Sequence, residues 1–576
     1  MKVGAFTFVL HSHLPYCRNA GRWPHGEEWI HEAALGTYIP LLDALYDLKR
    51  EGCSFKLTLG ITPVLVEQLA DSLVIAHLDE FVEEKICRAR EDVRRFDKAG
   101  QGHLAYLAKF CLERYQKIQD TFRNMFDCNI VSAFKTLQDE GYIEIVTSAA
   151  THAYLPLLKR DSSIYAQLKV GKEVYKRHFG VYPSSVWLPE CGYRPAIFDT
   201  SLGKKYKRPG LERFVADAGM SCFFAETHLV EGGEPVGKAR EPIFGPYGGI
   251  AKRYYVPLPL HAEPALRTTF LPYWVRSADF ELLEVAVMGR NNRTGMQVWS
   301  AEWGYPGDYN YREFHKKDGV SGLQYWKVTG AKVDLGYKEY YDPYWAAQRV
   351  AEHSAHYAHL VEELITNFYQ ETGRVGIIAA AYDSELFGHW WFEGVDWLKQ
   401  VLHQLSQSEL IELTTAHEFI TKHPPEDVIA LSEGSWGVGG DGFTWHNVDN
   451  EWMWPVIHSA ELKMEELVAK HPNARGWLKE VLDQAARELL LLQSSDWLFL
   501  ITTGQAKEYA EERFGYYEDS DKYAGHVGRF YTLVEIVESG RINKTSHSIC
   551  QGFWERDKIF PDIDYHYFAK RGNQST

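Results

Sequence analysis

The sequence predicts an α/β protein: an incomplete (β/α)7 barrel with an inserted helical subdomain, followed by a C-terminal α-helical domain. Three observations carry this. Short apolar runs without polar alternation recur through residues 1–415, as expected of parallel strands covered on both faces. Segments of helical periodicity separate them, the rhythm of one parallel barrel rather than of two α/β domains. Polar and aromatic residues follow almost every run, at the strand ends where such barrels place their chemistry.

Residues 3–10 form the first strand and run straight into His11-Ser12-His13. With no small-residue cleavage site, this is a strand rather than a signal sequence. A helix at 39–51 leads to a second strand at 55–61, stopped by Pro63. Residues 64–140 then turn helical and highly charged, too long for one crossover, so they form a helical insertion. The third strand, 142–146, leads to His152; after a helix at 164–179, the fourth, 185–189, leads to Glu190. A short helix at 209–220 precedes the fifth strand, 222–225. Glycines and prolines punctuate 226–260, where Gly245-Pro246-Tyr247-Gly248-Gly249 suits a lid with Tyr247 at its tip. The sixth strand is 284–288, and an aromatic loop at 299–326 and a helix at 344–369 precede the seventh, 375–382. Residues 411–413 are an eighth strand or a cap on the incomplete barrel. His423-Pro424-Pro425 reads as a linker. Helices at 459–469, 475–492 and 504–513 then build a C-terminal domain, 425–570, that is expected to contribute to the active-site cleft; the tail at 572–576 is expected to fray.

A net charge of −16 argues against a nucleic-acid or anionic-membrane partner and suits a neutral or cationic substrate. Eight cysteines without a C-x-x-C pair fit reduced thiols in a cytoplasmic protein. No apolar run reaches the roughly 18 residues of a membrane helix. The 18 tryptophans and 34 tyrosines exceed what a core usually needs, and serve either a large aromatic core or a long aromatic-lined groove. A monomer or small homo-oligomer is expected.

The stretch Ala379 to Trp391 holds the densest chemistry: a buried apolar strand meeting Asp383, Glu385, His389 and two tryptophans. Tryptophans beside carboxylates suit a sugar site, with flat apolar faces for pyranose rings and acids for the glycosidic oxygen. Retaining glycosidases need two carboxyl groups, one nucleophilic and one acid/base. Glu190, at the end of the fourth strand, and Asp383, at the end of the seventh, are the candidate pair. Arg194 is placed to keep the Glu190 carboxylate ionised. Glu385 takes a supporting role. His11-x-His13 sets two imidazoles on one face of a strand. These can bond sugar hydroxyls; alternatively, with His152 and Asp383, they are a ligand set for a metal-dependent hydrolase or deacetylase. No H-E-x-x-H motif or close third ligand accompanies them.

Four blocks, taken in order, resemble the conserved regions of glycoside hydrolase family 57. They are His11-Ser12-His13-Leu14-Pro15, Gly141-Tyr142-Ile143-Glu144-Ile145-Val146, Trp187-Leu188-Pro189-Glu190 and Asp383-Ser384-Glu385-Leu386-Phe387-Gly388. The resemblance implies retaining action on α-1,4-glucans such as amylose or glycogen, on an incomplete seven-stranded barrel. Within the family the chain looks most like the 1,4-α-glucan branching enzymes, through Gly304-Tyr305-Pro306-Gly307, Ser321-Gly322-Leu323-Gln324-Tyr325-Trp326, Phe387 to Gly394, Glu433-Gly434-Ser435-Trp436-Gly437 and Gln493-Ser494-Ser495-Asp496-Trp497. An α-amylase or a 4-α-glucanotransferase is the alternative within the family. The resemblance implies Glu190 as nucleophile and Asp383 as acid/base. It implies His11, His13, His152 and Asp496 as substrate-binding residues, and Trp274, Trp436 and Trp445 as groove aromatics. It implies no metal and no cofactor.

Overall fold

In the computed structural model, the structure describes residues 2–199, 206–232, 267–276, 282–300, 304–330, 332–515 and 525–571. The strands in chain order are β1 (Gly4–Ser12), β2 (Leu57–Ile61), β3 (Ile143–Ser148), β4 (Ser185–Trp187), β5 (Ile197–Asp199), β6 (Tyr206–Arg208), β7 (Cys222–Ala225), β8 (Tyr273–Arg276), β9 (Leu282–Gly289), β10 (Gly376–Asp383), β11 (Ile411–Leu413) and β12 (Val428–Ile429). Seven of these run parallel in the order β10-β1-β2-β3-β4-β7-β9, and they are the seven strands expected from the sequence. A single parallel bridge, Arg290 to Ala379, links β9 back to β10. The ring is therefore pinched shut at one point rather than fully laddered, which makes it an incomplete (β/α)7 barrel.

The other strands fill the edges. β8 runs antiparallel to β9, and β12 pairs with β8 beyond the expected linker. β11 pairs with Gly4–Phe6, the part of β1 that β2 does not reach, since β2 begins opposite Val9. β5 and β6 form a separate hairpin.

Period-two alternation decides which side chains enter the barrel. Ala5 and Val9 of β1 face an interior cluster with Val146, Trp187, Phe224, Met288, Ala379 and Ala381, while Phe6, Phe8 and Leu10 face the helices. The same alternation carries His11 and His13 inward and places Asp383 on the interior face of β10, two residues past Ala381. A seven-stranded lumen is narrow, so the alanines of β10 leave room for Trp187, which is fully buried.

Between β2 and β3 stands a helical hairpin, Ser72–Lys98 and Gly102–Asp120. Asp71 caps it, its carboxylate accepting from Leu73 N at 3.0 Å and Val74 N at 3.1 Å. The segment 304–342 lies over this hairpin: Tyr325 donates to Asp92 at 2.7 Å and Arg95 pairs with Asp318 at 2.7 Å. At the C-terminal end, helices Met453–Lys470, Trp477–Leu492, Ser495–Thr503, Lys507–Phe514, Gly525–Glu538 and Lys544–Arg556 pack together and onto the barrel. Ser162 Oγ donates to Glu465 at 2.6 Å, and Arg18 donates to the carbonyl of Glu555 at 2.8 Å. Among the described residues no helix is long and apolar enough to cross a membrane.

Candidate active site

The strand ends bring both candidate acids to one end of the ring. Glu190 follows β4 in a tight 3-10 turn, Pro189–Cys191, and sits in the left-handed region at φ 61°, with Cys191 at φ 50°. His152, after β3, is also left-handed at φ 56°. Three left-handed non-glycine residues in one site indicate backbone strain held by the surroundings, as is common where side chains must be aimed. Asp383 closes β10 directly beside His11 of β1. Both acids remain partly exposed while most side chains around them are buried.

Trp436 defines the Glu190 side. Its indole donates to Glu190 Oε2 at 2.6 Å, and its backbone N–H donates to the Glu190 carbonyl at 3.0 Å. The indole meets Trp187 edge-on at 4.9 Å, and the Arg290 guanidinium lies 5.9 Å from its ring centre. Trp187 in turn stacks on His11 at 4.7 Å. The Glu190 carboxyl is pushed up to about 7, mainly by burial; Trp436 pulls the other way, nearby Asp383 adds to the rise, and His13 lowers it.

The histidines form a packed group. His13 stacks on His152 at 3.8 Å, and His11 and His152 share a hydrogen bond between their Nε2 atoms at 3.1 Å. His13 donates from Nε2 to Asp496 at 3.0 Å, while its Nδ1 bonds Thr62 Oγ1 at 3.0 Å. His152 bonds Ser495 Oγ at 3.0 Å and lies 3.8 Å from Glu190 Oε1. Burial drives the pKa of His11 and His152 well down, so both are neutral. Burial acts on His13 too, but Asp496, Glu190 and Glu385 outweigh it and raise its pKa. His11 Nδ1 has no hydrogen-bond partner among the described residues; the other ring nitrogens bond the groups just named, and the histidines do not form a converging set of three potential ligands. Among the described residues, one cluster of three potential ligands does converge, Glu488, His526 and Asp557. There the Arg529 Nε already sits 3.1 Å from Glu488 and 2.8 Å from Asp557.

Glu385 lies deeper than Asp383. It accepts from the Tyr38 hydroxyl and from the His13 backbone N–H. Burial lifts its carboxyl to about 8, Tyr38 opposes this, and Asp383 adds to it, so Glu385 is mostly protonated near neutrality.

Two sequence expectations need correction, and one changes its role. Arg194 does not face Glu190. It is buried among Arg208, Asp161, Glu433 and Glu212 and donates to the carbonyl of Pro195. Trp445 has no face open to a groove, being 1% exposed, stacked on Tyr154 at 4.4 Å and covered by Gly437. A Cβ on Gly437 would lie 2.7 Å from the Trp445 ring, so Trp445 is a support beneath the Trp436 loop. Asp496 lies behind His13, in contact with it. Trp274 is half-buried in mid-strand, opposite Ala286, packed on the interior cluster. Tyr247 lies outside the described residues.

The sequence reading missed two residues. Arg290, buried at the end of β9, pairs with Glu226 at 3.0 Å. The strand-end rule that found Glu190 would have found it. Tyr38 lies on a π-turn, Ala34–Tyr38, far from any strand end, and no local signal marks it.

Residues 7–432 match glycosyl hydrolase family 57, which is well over half of the chain. The chain belongs to glycosyl hydrolase family 57. Residues 456–568 further match the C-terminal region of 1,4-alpha-glucan branching enzymes. The chain is 44% identical over 563 residues to the 1,4-alpha-glucan branching enzyme TK1436 of Thermococcus kodakarensis, covering 97% of this chain and 78% of that protein. The crystal structure of that family 57 branching enzyme, in complex with glucose and additives, matches 99% of this chain and 97% of its own at a TM-score of 0.86 and 41% identity. The α-amylase AmyC of Thermotoga maritima matches at 0.80 and 30% identity, over 99% of this chain and all of its own.

Proposed function

We propose that this family 57 chain is a retaining α-glucan transglycosylase that cleaves α-1,4 linkages and re-attaches the released chain as an α-1,6 branch. The observation that carries the chemistry is the pair of acids at one end of the ring, Glu190 bonded by Trp436 and Asp383 beside His11. The observation that favours branching is the match of residues 456–568 to the C-terminal region of branching enzymes.

In this reading the Glu190 carboxylate attacks the anomeric carbon. The bond to the leaving oxygen breaks, and Asp383 delivers a proton to that oxygen. A covalent β-glucosyl ester forms on Glu190. Asp383, now a carboxylate, takes the proton from a 6-hydroxyl of an acceptor chain, whose oxygen displaces Glu190. Two inversions retain the α configuration. The Trp436 N–H, and His13 when it is protonated, both favour ionised Glu190, the form that attacks. Trp436 offers a partly exposed aromatic face at the acids, and the Arg290 guanidinium lies 5.9 Å from its ring centre.

Glu190→Gln and Asp383→Asn are each expected to lower turnover on amylose by about 10²–10⁴-fold or more. Retention of most of the activity by either variant would remove that residue from its role. The product settles the transfer: after incubation with amylose and enzymatic debranching, new short chains mean branching. Reducing ends alone would favour the second reading, an α-amylase, which the 30% identity to AmyC supports.

A further inference from the structure

Exposed aromatic side chains are concentrated in one part of the chain. Nine are exposed among the described residues, and five of them, Tyr309, Tyr337, Tyr340, Tyr344 and Trp345, belong to the segment 304–345. A sixth, Tyr106, lies on the hairpin helix that this segment covers. Four rings form a connected strip, and Tyr344 and Trp345 make a separate pair. Tyr106 lies 6.1 Å from His103, His103 lies 6.1 Å from Tyr340, and Tyr340 lies 6.0 Å from Trp326. Tyr344 and Trp345 meet at 5.3 Å on the first turn of the next helix. The strip is fixed in place, because His103 Nε2 donates to the Tyr341 carbonyl at 2.8 Å and Trp326 and Tyr340 bridge as a strand pair.

The strip runs into a cavity of about 560 Å³ whose walls include Phe110, Arg114, Tyr341, Lys399, Gln400 and Gln404. That size suits a small-molecule or short oligosaccharide site. On the hairpin helix, His103, Tyr106, Phe110 and Arg114 recur three or four residues apart, so one helix face leads from strip to cavity. Two features favour a sugar chain over a protein partner. The hydroxyls of Tyr106, Tyr340 and Tyr344 have no hydrogen-bond partner among the described residues, so flat faces come with free polar edges. Among the described residues of the segment, Leu335 and Val320 are the exposed large aliphatic side chains, whereas the core of a protein interface is broadly apolar.

We propose that this strip, the pair and the cavity are a second α-glucan site, separate from the strand-end acids, that holds a distant part of the polymer while another part is cut or extended. The proposal rests on the α-glucan reading above. A tethering site raises the effective concentration of chain at the acids without altering the chemical step.

The test uses Tyr106→Ala/Tyr340→Ala and Tyr344→Ala/Trp345→Ala, exposed positions whose truncation leaves the core intact. Each pair is also built into Glu190→Gln, so that binding is read without turnover. Retardation in native gels containing amylose is expected to weaken by about tenfold in apparent affinity. In the active background, KM for amylose should rise by a similar factor while kcat on a short maltooligosaccharide stays unchanged. Unaltered retardation overturns the proposal. So does a loss of retardation that accompanies dissociation of an oligomer in sedimentation velocity, which would assign the strip to a contact between copies of the chain. Failure of the wild-type protein to alter amylose at all would instead overturn the α-glucan reading, and gel binding reports on the second site independently of it.

Discussion

In the proposed mechanism Glu190 has to be an anion to attack, yet its surroundings raise its pKa to about 7. Burial is the largest cause, and the Trp436 indole is the strongest opposing contact. A hydrogen bond to a charged group is worth roughly 1.5–3 kcal/mol, and one pKa unit is about 1.4 kcal/mol. Trp436→Phe keeps most of the ring and removes the donor. The acid limb of the kcat/KM profile should therefore move up by about one unit or more, with activity recovering towards wild type at higher pH. Equal loss at every pH would mean that Trp436 serves only as a sugar platform. Arg194 shows why neighbours in sequence need not be neighbours in space. Glu190 and Cys191 are both left-handed, so the chain turns back within the 3-10 turn. Four residues after Glu190, the Arg194 side chain is buried on the side of Asp161 and Glu433 instead.

The element that completes the site is the first turn of the Ser495–Thr503 helix. Ser494 bridges to Ala153, Ser495 bonds His152, and Asp496 holds His13. Asp496 acts on Glu190 in two opposed ways: it raises the pKa of His13, whose positive charge favours ionised Glu190, and its own negative charge raises the Glu190 pKa directly. Asp496→Asn preserves the shape and removes the charge. The acid limb is expected to move by less than about half a unit, because the lost pull of His13 and the lost push of Asp496 on Glu190 offset each other, while KM for a short maltooligosaccharide changes little. A large rise in KM would make Asp496 a substrate contact instead. At this scale the sequence was legible wherever the signal is local. Seven apolar runs gave seven strands, and alternation along β1 placed His11 and His13 inside. β5, β6, β8 and β12 escaped because they lie outside the parallel strand–helix rhythm that marked the other seven. The contact between His13 and Asp496 joins positions 483 residues apart, which no local pattern encodes. The tryptophan pair after β10 divides for the same reason: Trp391 is buried against Tyr311 and Trp397, partners that only the fold supplies.

Taken as a whole, the molecule buries two sets of groups whose titration acts in opposite directions. Burial raises the carboxyls of Glu190, Glu393 and Glu461 to about 7 and that of Glu385 to about 8, against an ordinary 4.5. Between 4.5 and these values the folded chain holds protons that the unfolded chain has lost, so stability falls as pH rises through that window. His11, His152 and His526 are lowered well below 6.5, chiefly by burial. Below 6.5 the unfolded chain takes up protons that the folded chain refuses, so these histidines cost stability as pH falls. The two sets oppose each other up to 6.5. Above that the carboxyls act without opposition from the histidines, and His13, whose pKa is raised, loses its own contribution in the same direction. The melting temperature is therefore expected to fall by roughly 5 °C between pH 6.5 and 8.5 in calorimetry at constant ionic strength. Glu461 allows a direct check because it lies between the C-terminal helices and the barrel, where it accepts from the Lys159 N–H at 3.1 Å. Glu461→Gln keeps that acceptor and cannot ionise. The variant should match wild type near pH 6, melt higher at pH 8.5, and branch amylose at an unchanged rate. A melting temperature that falls as steeply in this variant would mean that exposed groups, and not the buried carboxyls, set the pH response.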